Sequence, residues 1–97
     1  MDKVRYTVED KVVKEIHKVV VHKFDISDFE DPDIYAAGPM FDWERSEAGQ
    51  FVMKHAVEPP VWHRHMDPMW MGYRYIIMAE LESKRLSEFY LRWGTVK

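Results

Sequence analysis

The chain has no cysteine. That excludes a disulfide framework, a thiolate metal site and a cysteine nucleophile, and it fits a reducing compartment. Glycine and proline are scarce, four and five residues in 97, so no flexible or low-complexity linker divides the chain. Long apolar runs are missing too. The longest, Tyr75 to Ala79, falls far short of the roughly 20 residues a membrane span needs. The amino-terminal MDKVRYTVEDK carries charges where a secretory leader needs an apolar block. The expectation is a cytoplasmic protein with no membrane partner. Catalytic signatures are equally absent: no H-E-x-x-H, no calcium loop with its central Gly and closing Glu, no serine in a nucleophile elbow.

What remains is rich in core material. The sequence is 46% hydrophobic with four Trp, five Tyr and five Phe, enough for one domain over residues 1–97 and unlike a disordered chain. The net charge of −3 is unevenly spread. Residues 1–24 carry six Lys or Arg against four acids, residues 25–50 one Arg against eight acids, and residues 51–97 seven bases against five acids. The acidic middle opposes phosphate-backbone binding there.

Val4, Tyr6 and Val8 alternate with Arg5 and Thr7, the period-2 pattern of a half-buried strand, and Glu9-Asp10-Lys11 reads as a turn. Residues 12–26 are rich in β-branched side chains and read as a long strand. Along it Ile16, Val20, Phe24 and Ile26 fall on one face, interrupted by Lys18 and His22, which points to an edge, a bulge or a partner surface. Asp31-Pro32 opens a helical segment, with Asp33 complementing the helix dipole. Gly38-Pro39 is expected to break it into a short helix and a longer one, the second presenting Phe41, Ala48, Phe51, Val52 and His55 on one face. Gly49 suggests close helix–sheet contact. After Glu58-Pro59-Pro60, residues 61–66 read as a short edge strand, with Asp67-Pro68 as the turn into the strongest strand, 69–81. Its Met71, Tyr73, Tyr75, Ile77, Ala79 and Leu81 share one face. Ser83 is placed to cap a last helix whose Leu86, Phe89, Tyr90 and Trp93 keep helical spacing, with Gly94 as its stop.

This order predicts an α+β fold: a ferredoxin-like, split β-α-β-β-α unit with an added N-terminal strand. The 69–81 strand would insert between the 12–26 and 61–66 strands of an antiparallel or mixed four-stranded sheet, the helices on one face and the 4–9 strand on the edge.

Two constellations carry candidate chemistry. His63 and His65 project from one face of a short strand, a spacing by which two imidazoles can share a metal, with His17, His22 or His55 as possible third ligands. Ordinary surface histidines have the same pattern. The strand Met71 to Met78 is similar to the signature strand of the RNA-recognition motif, where aromatics stack on bases. Tyr73, Arg74 and Tyr75 would then form a single-stranded nucleic-acid surface, although Met71 and Arg74 depart from the pattern and tyrosines are ordinary strand formers. The acids Asp25, Asp28, Glu30, Asp31 and Asp33 read as helix caps and dipole partners rather than calcium ligands. Glu44 and Glu47 read as a solvated helix face.

The segment EDPDIYAAGPMFDWERSEAGQFVMKHA, followed by GYRYIIMAELESKRLSEFYLRWG, resembles a family of small uncharacterised proteins of marine bacteriophages. The resemblance covers about residues 19–94 and leaves the first eighteen as an N-terminal extension or edge hairpin. It implies a phage origin, and with it the host cytoplasm, and it transfers no activity and no catalytic or binding residue to this chain. The resulting expectation is a non-enzymatic accessory protein without a cofactor, forming a homo-oligomer through an open sheet face. Nucleic-acid binding through Tyr73, Arg74 and Tyr75, and metal binding through His63 and His65, are the alternatives.

Overall fold

A computed structural model describes residues 3–27, 30–67, 69 and 72–96. Of the features singled out above, Asp28, Pro68 and Met71 lie outside these residues. The elements are β1 (Lys3–Glu9), β2 (Val12–Ser27), α1 (Pro32–Arg45), α2 (Glu47–His55), β3 (Val61–Asp67), β4 (Gly72–Glu82) and α3 (Ser83–Trp93). The strands form one four-stranded sheet in the order β1-β2-β4-β3. Every pairing is antiparallel. As expected, β4 lies between β2 and β3, and β1 takes the free side of β2.

A two-residue turn joins β1 to β2. Asp10 and Lys11 both have positive φ, 51° and 65°, the left-handed pair of a type I′ turn whose twist matches the strands it joins. In the long β2 the pairing with β4 shifts between Val20 and His22. This bulge explains the irregular hydrophobic pattern of residues 12–26. Ile16, Lys18 and Val20 pair with Glu82, Glu80 and Met78 on one face, whereas His22, Phe24 and Ile26 pair with Ile77, Tyr75 and Tyr73 on the other. One extra residue changes the phase of the strand.

All three helices pack on the face of Tyr75, Ile77, Ala79 and Leu81. The core joins these β4 residues and Val19 and Val21 of β2 to Trp43, Phe51, Val52, Leu86 and Phe89. Leu86 and Phe89 are buried and Tyr90 and Trp93 pack against them, as the spacing of α3 predicts. Gly94 ends that helix with φ 74° and its N–H donated to the Tyr90 carbonyl at 2.8 Å.

The helical segment differs from expectation. α1 runs through Gly38-Pro39 to Arg45, because Gly38 has no Cβ to meet the proline ring and part of the pre-proline clash vanishes. The break comes at Ser46. Its Oγ accepts the Gly49 N–H at 3.0 Å and donates to the Trp43 carbonyl at 2.5 Å, capping α2 while closing α1. The two helices have independent phases, so Trp43 enters the core and Phe41 stays 55% exposed. Gly49 serves this joint rather than a helix–sheet contact: a Cβ there would overlap the Trp43 carbonyl oxygen. The caps differ as well. Asp31 occupies the N-cap position of α1 without a side-chain cap bond, and Ser83 is the first helical residue of α3, with Glu82 at its cap.

Candidate functional site

The sheet has two chemically different faces. Under the helices, Tyr75 is fully buried, stacked on Phe24 (ring centroids 5.2 Å apart, 5° between planes) and tilted against Trp62 at 5.6 Å. Its hydroxyl donates to Asp33 Oδ1 at 2.5 Å, and Arg64 donates to the same oxygen at 3.0 Å. Burial, and then the bond to Asp33, raises the Tyr75 pKa. Asp33, placed by the sequence at the dipole of α1, therefore also ties the first turn of that helix to β3 and β4.

This placement corrects the nucleic-acid reading of Tyr73, Arg74 and Tyr75. A ring with no exposed surface cannot stack on a base, and Tyr73 lies on the same helix-covered face. Arg74 projects from the opposite face, where it meets Asp25 at 3.0 Å. The three side chains do not make one surface.

His63 and His65 do share a face, the one no helix covers, opposite Ile76 and Arg74. The third ligands considered lie elsewhere. His17 and His22 pair with Leu81 and Ile77 on the helix side, and His55 is on α2. Among the described residues no three His, Cys, Asp or Glu side chains gather to hold an ion.

One cluster was invisible in the sequence. Ser83 Oγ lies 3.0 Å from His17 Nε2, and Glu15 Oε1 lies 2.9 Å from the same nitrogen. A catalytic relay places hydroxyl and carboxylate on opposite ring nitrogens. Here both approach one nitrogen, and Ser83 Oγ also faces the Glu15 carbonyl at 3.5 Å. That geometry fastens the start of α3 to β2 and passes no proton between acid and nucleophile. Only the register of β2 against β4 brings these residues together, so spacing along the chain could not reveal them.

A second feature sits at the bulge. A hollow of about 320 Å³ is lined by Val21, His22, Trp43, Ser46, Phe89 and Trp93, among others. His22 stacks on Trp43 (5.9 Å, 18°), and desolvation lowers its pKa. Trp43 Nε1 is buried without a hydrogen-bond partner among the described residues.

The helix-free face has the most organised surface. Across its centre run Val20, Met78 and Val61 in one row, with Lys23, Ile76 and His63 in the next. Lys23 and His63 flank the apolar Val20, Met78, Val61 and Ile76, and ion pairs bracket the two rows: Arg5–Glu80 and Lys14–Glu82 at one end and Asp25–Arg74 at the other. Val61 is 46% exposed. Beside it a hollow of about 100 Å³ opens between Lys18, Glu58, Pro59, Met78 and Glu80. An apolar centre within a charged rim is the anatomy of a protein-binding surface. The sequence anticipated an open face, and only its nucleic-acid alternative set Tyr73 and Tyr75 on it.

Among the described residues no helix is long and apolar enough to cross a membrane. No protein-family model, curated protein or solved structure matches the chain.

Proposed function

We propose that this chain is a non-enzymatic assembly protein that binds a second copy of itself through the helix-free face of its sheet. The observation that carries the reading is the apolar row Val20–Met78–Val61, uncovered by any helix and rimmed by ion pairs at both ends. Packing two such faces would remove apolar area from water at about 25 cal/mol per Å², and the side hollow offers a seat for a partner side chain. The fold is read as a ferredoxin-like β-α-β-β-α unit, β2 to α3, with β1 in the place of its last strand. A small accessory role in a phage-infected cell agrees with the resemblance of residues 19–94.

The test is sedimentation equilibrium over a wide concentration range, with Met78→Glu as the probe. The parent should associate, and the buried charge in the variant should weaken that association strongly. A strictly monomeric parent, or association untouched by Met78→Glu, would refute the reading.

A further inference from the structure

The β1 edge poses a separate question. β1 is one of the two outer strands of the sheet and pairs with β2 alone among the described residues. A type I′ two-residue turn closes on a pair of residues that exchange both backbone bonds, here Glu9 and Val12. Alternation then directs the backbone groups of Lys3, Arg5 and Thr7 toward β2. The N–H and C=O groups of Val4, Tyr6 and Val8 point away from the sheet. Their side chains are also exposed, at 44%, 67% and 73%. Natural edges are usually protected by proline, a bulge or charged side chains; β1 has no proline and a regular register throughout, and its charged residues Lys3, Arg5 and Glu9 all fall at the positions bonded to β2, leaving uncharged Val4, Tyr6 and Val8 at the outward ones.

The strand is self-complementary. Tyr6 is the middle residue of seven. A two-fold axis through it sets Val4 opposite Val8 of a second copy and Tyr6 opposite its own counterpart. These are the positions whose backbone groups point outward, so every such group from Val4 to Val8 finds a partner. The alternate positions agree: Lys3 falls opposite Glu9, and Arg5 opposite Thr7. No like charges meet, and the apolar residues pair along one face. Moving the axis to Val4 or Val8 shortens the ladder and loses this matching.

We infer that β1 is a second, independent self-association edge, pairing antiparallel with β1 of another copy in the register Lys3–Glu9, Val4–Val8, Tyr6–Tyr6. The two sheets then continue as one. This edge is separate from the helix-free face, and either surface can operate without the other.

The absence of cysteine makes the test clean. Opposed residues that exchange both backbone bonds have Cα atoms about 5.5 Å apart, within the range a disulfide spans. Mild oxidation of Tyr6→Cys should therefore give a covalent dimer on a non-reducing gel. Val4→Cys and Val8→Cys should each cross-link poorly alone, yet form a heterodimer when mixed. Tyr6→Pro removes an outward N–H but no bond to β2, and should lose the edge association while keeping the circular dichroism of the parent. The inference is overturned if Tyr6→Cys stays monomeric. It is also overturned if the single Val variants link as well as their mixture. The cross-link should persist in a Met78→Glu background, and its loss there would assign it to the face instead of the edge. Association that Met78→Glu weakens, with no Tyr6→Cys dimer, would leave the face reading intact and end this one.

Discussion

Replacing Gly49 by alanine tests the joint on which the helical layer depends. Propensity alone favours the change by about 1 kcal/mol in a helix interior. The structure reverses that sign. The new Cβ would overlap the Trp43 carbonyl oxygen, lie 2.7 Å from its carbon and 3.0 Å from the Glu44 Cα. All three atoms are backbone, so no rotamer change relieves the contact and α2 must withdraw from α1. Withdrawal loosens the Ser46 cap on the Gly49 N–H, 3.0 Å long, worth about 1 kcal/mol. It also disturbs the seating of Trp43 and Phe51, which are 6% and 8% exposed, at roughly 1–3 kcal/mol for an overpacked core. With the propensity gain set against these losses, the net destabilisation is about 1–3 kcal/mol. Urea denaturation followed by tryptophan fluorescence reads it as a lower midpoint at unchanged slope. Gly38→Ala is the comparison: nothing lies within 4 Å of its Cβ position, but Pro39 follows, and its propensity gain is largely offset by the pre-proline clash. A Gly49→Ala protein as stable as the parent would refute the close-approach argument.

Two further outcomes follow from local chemistry. Desolvation holds the His22 pKa below 6.5, and desolvation followed by Arg85 and Lys54 does the same for His55. The unfolded chain takes up these protons first, so stability present above pH 6.5 is lost as pH falls through the lower folded values. Thermal melts from pH 7 to 5 should show this decline, and His22→Gln should make it shallower; an unchanged slope would remove His22 from the account. At the hairpin, Lys11 holds φ 65°, a conformation costing an L-residue roughly 1–2 kcal/mol. Lys11→Gly should therefore raise the melting temperature, and a lower one would count against the turn assignment.

The strands were legible because their side chains alternate. In β4, Tyr73, Tyr75, Ile77, Ala79 and Leu81 carry no charge, whereas the other face has Arg74, Glu80 and Glu82. That asymmetry also contained the answer to which face is covered, since the uncharged set has the larger area to remove from water. The resemblance to an RNA-binding strand obscured it by drawing the tyrosines outward. The helix joint was less accessible. Gly38-Pro39 looks like a breaker by composition, yet the outcome turned on a missing Cβ before the proline and on a Ser46 hydroxyl that bonds both helices. The Ser83–His17–Glu15 cluster and the Asp33–Tyr75–Arg64 tie depend on pairings between distant segments. Residue spacing has no access to those.

The bulge connects the covered and uncovered surfaces. Without the phase change between Val20 and His22, strict alternation from Ile16 and Val20 would carry Phe24 onto the helix-free face and turn Lys23 toward the helices. Phe24 would lose its stack on Tyr75, and a lysine would face Tyr75 and the core at a large desolvation cost. With the bulge, both halves of β2 satisfy their surroundings. The upper half offers Val20 to the open apolar row, and the lower half gives His22 and Phe24 to the packed aromatics. The bulge also divides β2 by neighbour. Before it, residues 12–15 pair with β1 alone and residues 16–18 with both β1 and β4, while those after it pair only with β4. The hairpin therefore reaches past the helical layer, which is why Val4, Tyr6, Val8 and Val13 remain exposed. The result is a free β1 edge and a helix-free face, set at right angles. An edge pairing through β1 would join two free faces into one broader sheet surface, so that each contact enlarges the area available to the other.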